Sequence, residues 1–258
     1  MRDVTYPPII WTALTGFKAL GQTFQLSGTE HVPRTGGVLL AYNHVSYVDF
    51  IYGGLAARPS RRLVRFMAKR ELFDHRAVGP LMRSLHHIEV DRGEGVASFH
   101  TAVDYLRQGE AVGIFPEATI SRAMELKEFK TGAVRIAAEA GVPLVPVILW
   151  GTQRMTTKGQ PRDFSRGKTV AIHVGEPIDV AGKDPVAATA ELKARMEEML
   201  AEAVADYPAA EQPPGSWWVP ASMGGTAPTL EEAAVLDAAE KRERARERAE
   251  KRAATKRK

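Results

Sequence analysis

Gly37-Val38-Leu39-Leu40-Ala41 is an uncharged apolar run, and it passes directly into Tyr42-Asn43-His44-Val45-Ser46-Tyr47-Val48-Asp49. The first five residues suit a strand buried on both faces, and the octet that follows suits a strand-to-helix turn. The same alternation repeats along the chain. Strands are predicted at Thr23 to Leu26, Gly37 to Ala41, Leu63 to Met67, His86 to Val90, Ala111 to Phe115, Pro143 to Leu149 and Thr169 to Val174. Helical patterns lie near Val48 to Ala57, Val96 to Gln108, Thr131 to Ala140 and Val186 to Ala205. The reading is an α/β fold, a largely parallel mixed sheet flanked by helices. Open sheets of this class place ligands beyond the C-terminal ends of their strands, and the octet sits at such an end.

The chain has 258 residues, 44% hydrophobic and 26% charged. That suits one domain of about 200 residues with an appendage. The absence of cysteine excludes disulfides, thiolate metal sites and a cysteine nucleophile. The longest apolar stretches free of charge, Val4 to Phe17 among them, fall short of the about 20 residues a spanning helix needs. No basic-apolar-small leader is read at the start. The net charge of +4 divides unevenly: from Glu240 to Lys258 ten Lys or Arg face four Glu, so the preceding residues carry a net −2. The basic character belongs to a tail, and no nucleic-acid partner is expected for the body.

Residues 1–206 are expected to form the main domain, with 1–22 an amphipathic segment. Pro7-Pro8 would open a helix and Gly21 close it. Ile10, Leu14 and Phe17 share one face, and Trp11 broadens the apolar surface. The helix either docks on the core or lies in a lipid interface, with Ile10, Trp11, Leu14 and Phe17 as membrane contacts. Residues 207–258 begin with a Pro- and Trp-containing strap and end in a charged helix almost without large apolar residues. Such a helix is solvated, or is drawn to an anionic membrane surface.

His44 and Asp49 would lie about 140° apart around one continuous helix. Across a strand-to-helix turn they can meet. The carboxylate would then fix the imidazole tautomer and leave the other ring nitrogen as a base. Asn43 or Ser46 would cap the helix. The bland alternative is a structural turn and cap. His86 and Asp91 repeat the spacing, but along a strand such residues point to opposite faces.

Three further blocks strengthen the reading: Asp91-Arg92 at a strand end, Phe115-Pro116-Glu117-Ala118-Thr119-Ile120-Ser121, and Gly141-Val142-Pro143-Leu144-Val145-Pro146-Val147. In this order, over Asn43 to Val147, they resemble the phosphatidate-synthesising acyltransferases, the lysophosphatidate and glycerol-3-phosphate acyltransferases. The resemblance implies a glycerol-3-phosphate acyltransferase-like fold and an O-acyltransferase with His44 as general base and Asp49 as its orienter. Asn43, Arg92, Glu117, Thr119 and Ser121 would bind substrate, with Lys69, Arg122 and Lys130 as further basic candidates. It implies no metal and no cofactor, with acyl-CoA or acyl carrier protein as co-substrate. A lysophospholipid acceptor and peripheral placement on the cytoplasmic face of a membrane follow. The expected reaction is lysophosphatidate to phosphatidate in phospholipid synthesis. Glycerol-3-phosphate, another lysophospholipid or a glycolipid are alternatives, and a non-catalytic lipid-binding relative is the reading from another class.

The third block departs from the family's Phe-Pro-Glu-Gly-Thr-Arg-Ser. Ala118 stands for the glycine and Ile120 for the arginine, which removes a bidentate phosphate contact. Either Arg122, Lys127 or Lys130 substitutes, or the acceptor's head group differs.

Overall fold

Alternation along β2 (Val38–Tyr42) sends Leu39 and Ala41 to one face of a sheet and Val38, Leu40 and Tyr42 to the other, and all five are buried. Both faces must therefore be covered. The computed structural model describes residues 3–91 and 95–256. In it β2 is the middle strand of seven, with β1 (Thr23–Ser27), β3 (Val64–Lys69), β4 (Ile88–Val90), β5 (Ala111–Ile114), β6 (Leu144–Trp150) and β7 (Thr169–Val174). The order is β1-β7-β6-β2-β5-β3-β4. Among the described strand pairs only β6–β7 is antiparallel, so β1 and β7 run against the other five. The mixed α/β sheet flanked by helices is the expected fold class.

One face is covered by α5 (Gly95–Arg107), α6 (Gly132–Ala140) and α7 (Pro185–Ala205), which bring Leu106, Ile136, Leu192 and Met196 onto Leu39, Ile148 and Trp150. The other is covered by α1 (Tyr6–Ala19) and α2 (Asp49–Ala57), through Phe17, Tyr52 and Leu55. Each large side chain so buried contributes about 1.5–3 kcal/mol. The connection between β3 and β4 holds two short helices that periodicity does not announce, α3 (Arg70–Phe73) and α4 (Val78–Ser84). The strand expected from His86 starts at Ile88 instead. His86 closes the helical turn with φ 55°, its N–H donating to Arg83 O.

The N-terminal helix opens on Pro7-Pro8 as expected. Phe17 is a correction: it is 7% exposed and its ring stacks on Tyr52 at 4.6 Å. It anchors the helix on the core and is withdrawn from any lipid-facing surface. Leu14 also packs partly against this cluster, whereas Trp11 is 70% exposed. Among the described residues no helix is long and apolar enough to cross a membrane.

The strap is not a loose linker. Tyr207 and Trp218 are buried, with Trp218 5.7 Å from Trp150, and the Arg154 guanidinium lies 4.9 Å from the Trp218 ring and donates to Tyr207 and Glu211. It leads into α8 (Leu230–Lys256). That helix was expected to be solvated or drawn to an anionic membrane surface. Its first turns nevertheless dock on the body, chiefly through charge: Asp237 and Glu240 pair with Arg122, Lys127 and Lys158. A search for apolar stripes is blind to such docking.

His87 sits in the core beside the equally buried Arg65, and its Nδ1 accepts the Phe66 N–H at 3.0 Å. Burial, with Arg65 close by, pushes its imidazole down to about 4 from 6.5. A base with a lowered folded-state value contributes stability above its unfolded value and loses it as pH falls. Stability should therefore decline from pH 6.5 toward pH 4, by on the order of 3 kcal/mol from this group. Denaturant unfolding across that range should show a shallower decline in His87→Asn, whose side-chain oxygen still accepts from Phe66.

Candidate active site

Five strands end on one edge of the sheet, and the polar loops gather there. His44 lies two residues past β2, Phe115 one past β5, Thr152 two past β6, and Lys69 is the last residue of β3. His44 Nδ1 lies 2.9 Å from Asp49 Oδ2. Because a carboxylate oxygen can only accept, Nδ1 carries the proton and Nε2 holds the lone pair. The imidazole is 21% exposed and the Asp49 side chain is fully buried. Phe115 stacks on the His44 ring at 4.3 Å.

The carboxylate is held on every side. Asp49 Oδ2 also accepts the Val45 and Ser46 N–H groups at 2.8 and 2.7 Å, and Oδ1 accepts the Thr152 hydroxyl at 2.6 Å. Four donors around one buried carboxylate offset its desolvation and fix the turn that carries His44. The His44 peptide is clamped as well. Its N–H donates to Glu117 Oε1 at 2.8 Å, and its carbonyl accepts the Ser121 N–H at 2.7 Å.

Several expected substrate contacts turn out to hold the scaffold. Asn43 is fully buried and exchanges hydrogen bonds with the Leu149 backbone, at 3.0 Å to its carbonyl and 2.7 Å from its N–H. It staples β2 to β6 and neither caps α2 nor reaches an acceptor. Ser46 accepts from the Val48 N–H just before α2 and donates to Thr156 O. Glu117 braces the loops, accepting His44 N–H on one oxygen and Lys127 N–H on the other. Burial pushes its carboxyl up to about 8, against the pull of those two N–H groups. Ser121 is buried, and its hydroxyl has no hydrogen-bond partner among the described residues.

The basic candidates fall in different places. Thr119 is half-buried and accepts from Lys158 Nζ at 2.8 Å. Arg122 meets the α8 carboxylates. Lys69 and Lys130 are exposed on the rim, and Arg92 lies outside the described residues. Asp91 accepts from Arg70 at 2.7 Å, so the second His-x4-Asp spacing forms no dyad. Ala118 has φ 57°, the left-handed region that favours glycine, and Ile120 is buried at 4% exposure. The third block therefore keeps its backbone shape and carries no guanidinium at Ile120. Thr152 and Lys158 lie outside the four sequence blocks and were not foreseen; their signal is that both are polar and follow the C-terminal end of β6.

A family model described as "Acyltransferase" matches residues 23–150. A 1-acyl-sn-glycerol-3-phosphate acyltransferase of Bacillus subtilis is 35% identical over 66% of this chain and 84% of its own length. The chain belongs to the acyltransferase family. One of Borreliella burgdorferi is 30% identical over 60% of this acyltransferase and 61% of its own length. The crystal structure of the 1-acyl-sn-glycerophosphate acyltransferase PlsC from Thermotoga maritima superposes with a TM-score of 0.66 at 25% identity, covering 78% of this acyltransferase and 80% of that chain.

Thr152→Val removes one donor from the buried carboxylate. Unfolding stability should fall by about 1.5–3 kcal/mol, the usual range for a hydrogen bond to a charged group. Turnover should drop with it, and Thr152→Ser should restore both. Denaturation midpoints and kcat for the two variants check this.

Proposed function

We propose that this acyltransferase makes phosphatidate, transferring an acyl group from a thioester to the free hydroxyl of 1-acyl-sn-glycerol-3-phosphate. The single observation that carries the reading is the 2.9 Å contact from His44 Nδ1 to a carboxylate locked by three other donors. It leaves Nε2 as a base of fixed orientation. Nε2 takes the hydroxyl proton as the acceptor oxygen attacks the thioester carbonyl. The tetrahedral intermediate collapses, the carbon–sulfur bond breaks, and the imidazolium returns the proton to the departing thiolate. Atoms balance as phosphatidate plus free thiol. Neither a covalent enzyme intermediate nor a cofactor enters, and acyl-CoA or acyl carrier protein supplies the acyl group.

That both relatives are 1-acyl-sn-glycerol-3-phosphate acyltransferases supports lysophosphatidate as acceptor. The buried Ile120 favours a second reading, in which another lysophospholipid, glycerol-3-phosphate or a glycolipid is accepted. A non-catalytic lipid-binding role leaves the partly exposed His44 imidazole, with its Nε2 oriented by Asp49, without a purpose. Acyl transfer measured on His44→Ala should fall at least about 100-fold, within the usual contribution of a general base. Folding, followed by circular dichroism, should be retained. Turnover near the wild-type rate would remove His44 from the reaction.

An acyl chain prefers lipid to water by about 0.8 kcal/mol per CH₂, which supports work at a bilayer surface; the face proposed is the cytoplasmic one. Residues 1–206 would serve as the acyltransferase domain and 207–258 as its strap and charged tail. Trp11, 70% exposed, and Ile10 are the lipid contacts of this proposal. Trp11→Glu should weaken cosedimentation with liposomes several-fold while leaving thermal unfolding unchanged; unaltered binding would put the contact elsewhere.

A further inference from the structure

The loops around His44 carry three cations that the chemistry above does not use. Arg122 follows Ser121, whose N–H donates to His44 O; Lys158 follows Thr157, whose hydroxyl donates to Val45 O at 2.7 Å; and the Lys127 N–H shares the Glu117 carboxyl with the His44 N–H. Each cationic residue, or its chain neighbour, is thus tied by hydrogen bonds to the catalytic turn. Their side chains converge. Arg122 Nε lies 3.1 Å and Lys158 Nζ 3.0 Å from Asp237 Oδ1, Lys127 Nζ lies 2.6 Å from Asp237 Oδ2, and Arg122 Nη2 lies 2.9 Å from Glu240 Oε2. Lys158 also donates to Thr119, within the block that lacks its arginine. All three side chains are largely buried, at 14, 24 and 11% exposure for Arg122, Lys127 and Lys158.

Three positive charges face two carboxylates, so the cluster retains a net positive charge while α8 is seated. The neighbouring Ser121 hydroxyl is buried without a partner among the described residues. Holding three cations together is costly unless an anion joins them, and the anion here is borrowed from a helix that offers little apolar contact of its own. Val235 and Leu236, two residues and one residue before Asp237, are 70 and 45% exposed.

We propose that Arg122, Lys127 and Lys158 form the binding site for the acceptor's phosphomonoester, and that Asp237 and Glu240 of α8 occupy it as internal anions which the phosphate displaces. The site supplies at Arg122 and Lys158 the cations that Ile120 does not. It rests on the proposed acyl transfer to a phosphate-bearing acceptor, and it adds to that reading a specificity determinant and a competitor built into the chain.

The test is a pair of charge changes with opposite signs. Lys158→Met should raise the KM for lysophosphatidate about 10- to 100-fold, the loss expected for a charge-assisted contact, with the thioester KM within about twofold. Asp237→Asn should lower the lysophosphatidate KM several-fold, an effect that a helix merely docked on the body would not give. Lys158→Gln serves if the methionine variant does not fold. Calorimetric titration of His44→Ala protein with glycerol 3-phosphate repeats the test without turnover: binding should weaken in the Lys158→Met background and tighten in Asp237→Asn. If no acceptor is acylated while this binding follows the charges, the reaction assignment fails and the site stands. If acylation proceeds but Lys158→Met leaves the acceptor KM unchanged, or Asp237→Asn raises it, the site is overturned and the reaction stands. Inorganic phosphate binding as tightly as glycerol 3-phosphate would assign the cluster to the free anion and also overturn the proposal.

Discussion

A buried carboxylate with four hydrogen-bond donors is the point on which this molecule turns. Asp49 is the first residue of α2, yet its side chain reaches back to the Val45 and Ser46 N–H groups and sideways to Thr152. It therefore does the work of a cap, a loop staple and a proton orienter at once. The two backbone donors force the turn after β2 into one shape, and that shape brings the imidazole to the same carboxylate oxygen. Removing the carboxylate would leave buried N–H groups unpaired, so fold and chemistry are coupled at this residue.

The strands around that turn were legible because each is a short uncharged run, buried on both faces, and β2, β5, β6 and β7 lie within a residue or two of where the apolar pattern puts them. The His44–Asp49 pair was legible for a different reason. Its spacing has no use inside one helix and becomes productive only across a strand end. Direction of contact was not legible. Asn43 and Glu117 belong to the blocks that carry the resemblance, but their polar atoms face the backbones of β6 and of two loops. A residue type in a motif says which chemistry is possible and not which neighbour receives it.

The docking of helix α8 is not legible in the sequence because its attachment is electrostatic. Periodicity weighs apolar side chains, and this helix has few; the two carboxylates that seat it look in sequence like ordinary members of a charged run. What identifies them is the facing trio of Arg122, Lys127 and Lys158, which comes from two loops far away in the chain. Phe17 is the converse case. An apolar residue on a helix face reads equally well as lipid contact or core anchor, and only its stack on Tyr52 decides.

The reversal of β1 and β7 has a bearing on where the chain tolerates change. Because these two strands oppose the other five, β1 starts at the catalytic rim, where Gln22 touches Met155 and Tyr52, and it ends at the far edge, where Gly28 meets the end of β7. A residue added or lost between α1 and β1 would thus disturb the catalytic neighbourhood, while the connection from β1 to β2, lying at the opposite edge, offers a place for a tag or graft.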